Sequence, residues 1–154
     1  MRRAGADDSD LVGRLLFRFN VEFDTDSPSV EELAGRFRRL LARDDQLVLL
    51  AERAEGGRTG DPVGFGYLTF RATPYYDGPT GQLEELYVRP ELRGRGFGST
   101  LVQRRWPPAA SVTPALRIDV DEVDADTRRF YERHGFRNVA PGTDSRMLSY
   151  EIEL

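Results

Sequence analysis

The 154-residue chain contains no cysteine and no lysine, and only one histidine and one tryptophan. Without cysteine there are no disulfides, no thiolate nucleophile and no Cys-ligated metal site. With His134 as the lone imidazole, a Ser-His-Asp triad or a His-rich metal centre is disfavoured, and no metal is expected. No apolar run approaches the length of a membrane span, and Met1-Arg2-Arg3 is not followed by an apolar signal segment. A cytosolic protein without a membrane partner is the expectation. All 22 basic residues are arginine, against 26 acidic ones, for a formal charge of −4. That balance argues against a nucleic-acid partner, which would ask for a basic face. It is compatible with a cationic small-molecule substrate.

What is present has the proportions of one soluble α/β domain: 39% hydrophobic and 31% charged residues, in a chain long enough for a full core. Leu11, Leu15, Leu16 and Phe19 share one face of a helix expected over residues 8–20, capped by Asp7 or Asp8. Ser29 and Glu32 form an S-x-x-E capping box for a second helix, whose stripe Leu33, Phe37, Leu40 and Leu41 should be buried. Strands are expected at QLVLLAE (46–52), VGFGYLTFRA (63–72), LEELYV (83–88) and ALRIDV (115–120), with a glycine-rich hairpin connection over 54–62. A helix begins near Gly98, which Pro107-Pro108 must end or distort, and DTRRFYERHG (126–135) is a short helix stopped at Gly135. FRNV and MLSYEIEL should close the chain as strands. The order β-α-α-β-β-β-α-β-α-β-β describes a mixed, mostly antiparallel sheet flanked by helices.

The most informative stretch is LEELYVRPELRGRGFG, residues 83–98. An apolar strand with two adjacent carboxylates runs into an Arg/Gly loop, and the loop opens a helix. Glycines let backbone N–H groups approach an anion without a Cβ in the way. The first helical turn adds unpaired N–H donors and the positive end of the helix dipole. Arg93, Gly94, Arg95, Gly96, Phe97, Gly98 and Ser99 therefore make a candidate cradle for a phosphate or pyrophosphate. The loop lacks the lysine of a Walker motif, and its glycine spacing is not that of a dinucleotide fingerprint. Phe97 is expected to serve as a core anchor within it.

Arg93-x-x-Gly96-x-Gly98 resembles the pyrophosphate-loop pattern R/Q-x-x-G-x-G/A of the GNAT superfamily, the acyl-CoA-dependent N-acetyltransferases. Phe130-Tyr131-Glu132-Arg133-His134-Gly135-Phe136 resembles that superfamily's second signature, Y-x-x-x-G-F. The element order agrees over nearly the whole chain. Two positions depart from the N-x-x-A-x-x-x-Y pattern, where Asp124 and Thr127 stand for Asn and Ala. An aspartate cannot donate as an asparagine amide would, so no cofactor contact is assigned to Asp124. The segment RRWPPAASVTP also differs from the longer helix usual after the loop. LEELYV followed by Arg-Pro is similar to polyamine and aminoglycoside acetyltransferases.

The resemblance implies acetyl-CoA as co-substrate and a small amine acceptor, and it allows a homodimer. Acetylating an amine asks for a neutral nucleophile, a stabilised oxyanion and a proton for the departing thiolate. A lysine-like amine has a pKa near 10.4, so only about one molecule in a thousand is neutral near pH 7.4. A carboxylate can take its proton. Glu84 and Glu85 occupy consecutive strand positions and should face opposite sides of the sheet unless a bulge re-aims one. Spacing leaves both open, and so too the reading that neither serves as base. By resemblance Glu84 holds the usual base position. Tyr131, with a phenol that stays protonated at neutral pH, is the candidate general acid. The resemblance puts the oxyanion donor at the Val88 N–H, where the family's strand splays from its neighbour. Pantetheine would then lie along the opened edge at Tyr87 and Val88. Tyr75, Tyr76, Asp77, Glu22, Asp24 and Asp26 are candidates for the acceptor pocket. Two other functions remain compatible with these residues: a non-catalytic acyl-CoA-binding or regulatory module on the same fold, and acetylation of a peptide or protein α-amine.

Overall fold

A computed structural model describes residues 1–55, 58–103, 115–140, 142–149 and 152, with the backbone alone at 54, 55, 58, 59 and 61. The chain divides into two compact units, Met1–Arg117 and Ile118–Leu154.

In the first unit, β1 (Arg2–Arg3) leads through a 3-10 turn (Ala6–Asp8) into α1 (Ser9–Glu22), followed by α2 (Val30–Leu40). Three long strands come next: β2 (Gln46–Glu55), β3 (Arg58–Arg71) and β4 (Thr80–Val88). A 3-10 turn (Pro90–Leu92), α3 (Phe97–Gln103) and β5 (Leu116–Arg117) complete the unit. The strands lie side by side in chain order, antiparallel from β1 to β4 and parallel between β4 and β5.

Local signals account for the helices. Ser29 accepts from the Glu32 N–H at 3.2 Å while Glu32 accepts from the Ser29 N–H at 2.9 Å, closing the expected capping box. Leu33 and Phe37 are buried as the stripe requires, and Leu40 and Leu41 are half-buried. At α1 the expected cap differs. Asp8 makes no cap bond to α1; its carboxylate accepts from the Gly5 N–H and from both ends of the Arg2 guanidinium. That partnership with Arg2 holds its carboxyl below the usual carboxylate range.

Helices α1 and α2 cover one sheet face, where Val12, Leu15 and Phe37 pack on Val48, Leu50, Phe65 and Tyr87. The other face receives α3, with Leu101 approaching Gly66 beside Leu86. Coverage on both faces explains why β2 is a continuous apolar run. The hairpin is longer than the sequence suggested, because β2 and β3 stay paired out to Glu55 and Arg58.

In the second unit, Asp124 caps α4 (Ala125–Arg133) by accepting from the Thr127 N–H at 3.0 Å. Gly135, at φ +88°, lies just past its end. Of the two closing strands expected at FRNV and MLSYEIEL, Val139 forms an antiparallel bridge with Arg146, just before the second segment, while residues 150, 151, 153 and 154 lie outside the described residues. ALRIDV contributes only Leu116–Arg117 as strand. Single-sequence β patterns overreach here because strand length depends on which partner edge is available. Pro107-Pro108 and the end of the helix begun at α3 lie outside the described residues.

Candidate active site

The register of β3 and β4 decides where the two glutamates point. Tyr67 pairs with Glu85, yet the next residue, Leu68, pairs with Leu83. Glu84 is thus the extra residue of a β-bulge. Residues directly opposite on an antiparallel ladder share a face. Leu68 and Leu83 take one face, while Tyr67 and Glu85 take the face covered by α1 and α2, where Tyr67 packs edge-on against Phe37 at 5.6 Å. Glu84 accepts a hydrogen bond from the hydroxyl of Thr69, two residues from Tyr67 and on the same face. The bulge therefore turns both carboxylates to one side, where regular alternation would have separated them.

Their environments differ. Glu84 is exposed and Glu85 half-buried. Burial pushes the Glu85 carboxyl up to about 7, with the Glu84 charge adding to the shift. Tyr67, which donates to Gln46 at 2.5 Å, has its phenol pushed up to about 12, chiefly by burial and then by Glu84. It stays a protonated donor next to this carboxylate pair.

Three residues further along, the β4 backbone presents an edge that no strand pairs with among the described residues. The Arg89 N–H donates to the Val63 carbonyl at 2.9 Å, and Gly64 pairs with Val88. In an antiparallel ladder this marks Gly64–Val88 as the non-hydrogen-bonded pair, so the Val88 N–H and C=O both face away from β3. On that outer side β5 pairs with β4 only at Gly81 and Gln82. The strands approach closely here: a Cβ on Gly64 would lie 2.2 Å from the Tyr87 carbonyl oxygen. Only glycine fits, a constraint that its place in VGFG did not reveal. Tyr87 supports the edge from within. Its ring is buried beside Phe19 and Phe65, and its backbone groups face β3 by the same alternation.

The loop after β4 has the geometry of an anion cradle. Gly94 and Gly96 adopt φ +72° and +85°, and a Cβ on either would meet nothing within 4 Å. Helix α3 makes its first bond from the Thr100 N–H to the Gly96 carbonyl. The N–H groups of Phe97, Gly98 and Ser99 precede it as first-turn donors. Phe97 is half-buried and Arg95 exposed. Among the described residues Arg95 has no ion-pair partner, whereas Arg93 meets Glu22 at 2.6 Å and donates from Nε to the Val88 carbonyl at 2.9 Å. The first-turn amides, the Cβ-free backbone at Gly94 and Gly96 and the Arg95 guanidinium fit a diphosphate group.

Tyr131 belongs to the second unit. It is buried, with its ring against Phe130 at 5.1 Å and Phe136 at 5.3 Å. His134 turns its Nδ1 to the Phe130 carbonyl at 2.8 Å, as a residue closing its own helix does. Tyr75 and Tyr76 are exposed on the β3–β4 loop, as are Asp24 and Asp26 after α1. No group of metal-ligating side chains occurs among the described residues. Nor is any described helix long and apolar enough to cross a membrane.

The sequence model of the acetyltransferase (GNAT) family matches residues 11–136. Peptidyl-lysine N-acetyltransferase YjaB of Salmonella typhimurium is 30% identical over 77 residues, which is 50% of this chain and 43% of that protein. The match thus spans less than half of that relative's length. A crystal structure of a protein from Arthrobacter sp. FB24 assigned as an acetyltransferase is 41% identical, with a TM-score of 0.86 over 99% of this chain and 94% of that one. An aminoglycoside acetyltransferase from a soil metagenomic sample, solved with sisomicin, shares the fold at 16% identity and a TM-score of 0.73, over 99% and 94% of the two chains. The matched span contains β4 and the glycine loop, and the chain belongs to the GNAT acetyltransferase family.

Proposed function

We propose that the protein is an acetyl-CoA-dependent N-acetyltransferase acting on a primary amine of a small cationic acceptor by direct transfer. The observation that carries this reading is the composition of β4 and its loop. One short segment presents a half-buried carboxylate with a pKa near 7, an outward backbone N–H at Val88, and a glycine cradle immediately after.

When bound, acetyl-CoA supplies a thioester carbonyl with a thiolate as its leaving group. The amides of Gly94 to Ser99 and the Arg95 guanidinium hold the pyrophosphate. The outer edge of Val88 receives the pantetheine arm as an added strand would be received. Glu85, about half ionised at neutral pH, first takes one proton from the acceptor ammonium, and the neutral amine then attacks the thioester carbonyl to form the C–N bond. The Val88 N–H donates to the carbonyl oxygen as negative charge develops there. The Tyr131 hydroxyl supplies the proton that the sulfur takes when the C–S bond breaks, and the second proton of the nitrogen, lost as the amide forms, restores that hydroxyl. The base is thus assigned to Glu85, with Glu84 as the exposed charge beside it. A cationic acceptor agrees with two carboxylates on one face and a net charge of −4.

The test has two stages. Coenzyme A should raise the melting temperature of the purified protein by mass action, and a protein left unmoved by millimolar ligand is not an acyl-CoA enzyme. Thiol release from acetyl-CoA is then followed across polyamines, aminoglycosides, amino acids and peptides. Turnover on peptides alone would replace the small acceptor by a peptide amine. Binding without turnover on any amine would leave an acyl-CoA-binding module.

A further inference from the structure

The motif arginine of the glycine loop is not free to meet a phosphate. Both terminal nitrogens of Arg93 reach the Glu22 carboxylate, at 2.6 and 2.9 Å. Its Nε donates to the Val88 carbonyl at 2.9 Å, and its guanidinium carbon stands 6.0 Å from the centre of the Tyr87 ring. Every face of the fork that could form a bidentate phosphate contact is engaged. Glu22 is itself oddly placed. It is the last residue of α1, where the helix dipole disfavours a negative charge. The Arg93 guanidinium, arriving from 71 positions away, offsets that local conflict.

The bond to Val88 gives the pair its consequence. Val88 is the residue whose N–H and C=O both face outward from β3. The bond from Arg93 and the one from the Arg89 N–H to Val63 hold the Val88–Arg89 peptide from both sides before any ligand arrives, and the Val88 N–H, in the preceding peptide, is left as the donor on this edge. We propose that Glu22 and Arg93 are a positioning pair: Arg93 braces the Val88 carbonyl, Glu22 holds Arg93 in place, and the phosphate charge is met by Arg95. This rests on the acetyltransferase reading for its catalytic consequence but not for the brace itself.

The chemistry of the side chains supplies the experiment. A glutamine carries its Nε2 at the same bond distance from the backbone as arginine Nε, but lacks the charged end that meets Glu22. The Val88 carbonyl 13C resonance is recorded in isotopically labelled, ligand-free wild type, Arg93→Ala, Arg93→Gln and Glu22→Ala. Coenzyme A affinity of each, and of Arg95→Gln, is measured by calorimetry. Arg93→Ala should move the Val88 resonance, Glu22→Ala should move it the same way by less, and Arg93→Gln should restore it. Losing a charge-assisted phosphate bond costs about tenfold or more in affinity. That drop is expected for Arg95→Gln and not for Arg93→Gln. In the acetyl-transfer assay Arg93→Ala should lower kcat more than it raises KM for acetyl-CoA. An unmoved Val88 resonance in Arg93→Ala overturns the brace, and so does a loss of affinity in Arg93→Gln matching that of Arg95→Gln. If wild type does not bind coenzyme A, the proposed function falls, while the resonance in ligand-free protein still decides the brace.

Discussion

Glu85 stands directly opposite Tyr67 across the β3–β4 ladder, one position beyond the bulge at Glu84. That single irregularity turns the base candidate toward the α1/α2 face and leaves it half-buried next to a like charge. Its consequences can be measured.

A base must be ionised to accept a proton, so kcat/KM should rise with pH through about 7, the value to which the Glu85 carboxyl is pushed. Glu85→Gln should abolish this limb and lower turnover about a hundredfold. Glu84→Gln removes the neighbouring negative charge and should shift the limb to lower pH, with turnover largely kept. A wild-type profile in Glu85→Gln would remove that residue from the mechanism. Loss of the limb in Glu84→Gln would transfer the role to Glu84.

The same residue ties stability to pH. Its folded-state pKa lies above the ordinary 4.5, so the folded protein holds this proton more tightly than the unfolded chain does. The contribution is full below about 4.5 and is lost as pH rises through about 7, reaching at most about 3 kcal/mol. Glu85→Gln, permanently neutral, should therefore raise the melting temperature more at pH 8 than at pH 5. Equal shifts at the two pH values, in a scan of both proteins, would show that the carboxyl is not buried as described.

Gly64→Ala would drive a methyl group into the Tyr87 carbonyl, 2.2 Å from its ideal position. Because the obstacle is backbone, β4 itself must move. Overpacking of this kind costs about 1–3 kcal/mol, readable as a lower urea midpoint. Turnover should fall as well, since Val88 lies opposite. A variant with unchanged midpoint would mean that the strands part without cost.

Tyr131→Phe keeps the ring that packs against Phe130 and Phe136 and deletes only the hydroxyl. Under the proposed general-acid role, turnover drops about a hundredfold while coenzyme A affinity stays near wild type. Wild-type turnover would assign the tyrosine to packing alone.

Helix α2 and the glycine loop were legible because their signals are local. Ser29 and Glu32 lie three residues apart and satisfy each other. Gly94 and Gly96 supply the left-handed conformations that their loop adopts. Asp8 makes no side-chain cap on α1 because its carboxylate is taken by the Gly5 N–H within the preceding turn and by Arg2 of β1. Of ALRIDV only Leu116 and Arg117 pair, because an alternating pattern states what a strand needs, not how far a partner runs beside it. Glu22 stands in the sequence only as a candidate for the acceptor pocket, since nothing nearby in the chain announces its contact with Arg93.

By itself the sequence determined the family, the glycine loop and the residue types available for chemistry. The spacing of Arg93, Gly96 and Gly98 acts through backbone conformation within a single loop. Tertiary structure decided how those groups are used. Whether Glu84 and Glu85 share a face depends on a register slip against β3. Whether Arg93 is available to a ligand depends on a carboxylate brought to it from the end of α1. Both are long-range pairings, and their energies arise only after distant segments pack together.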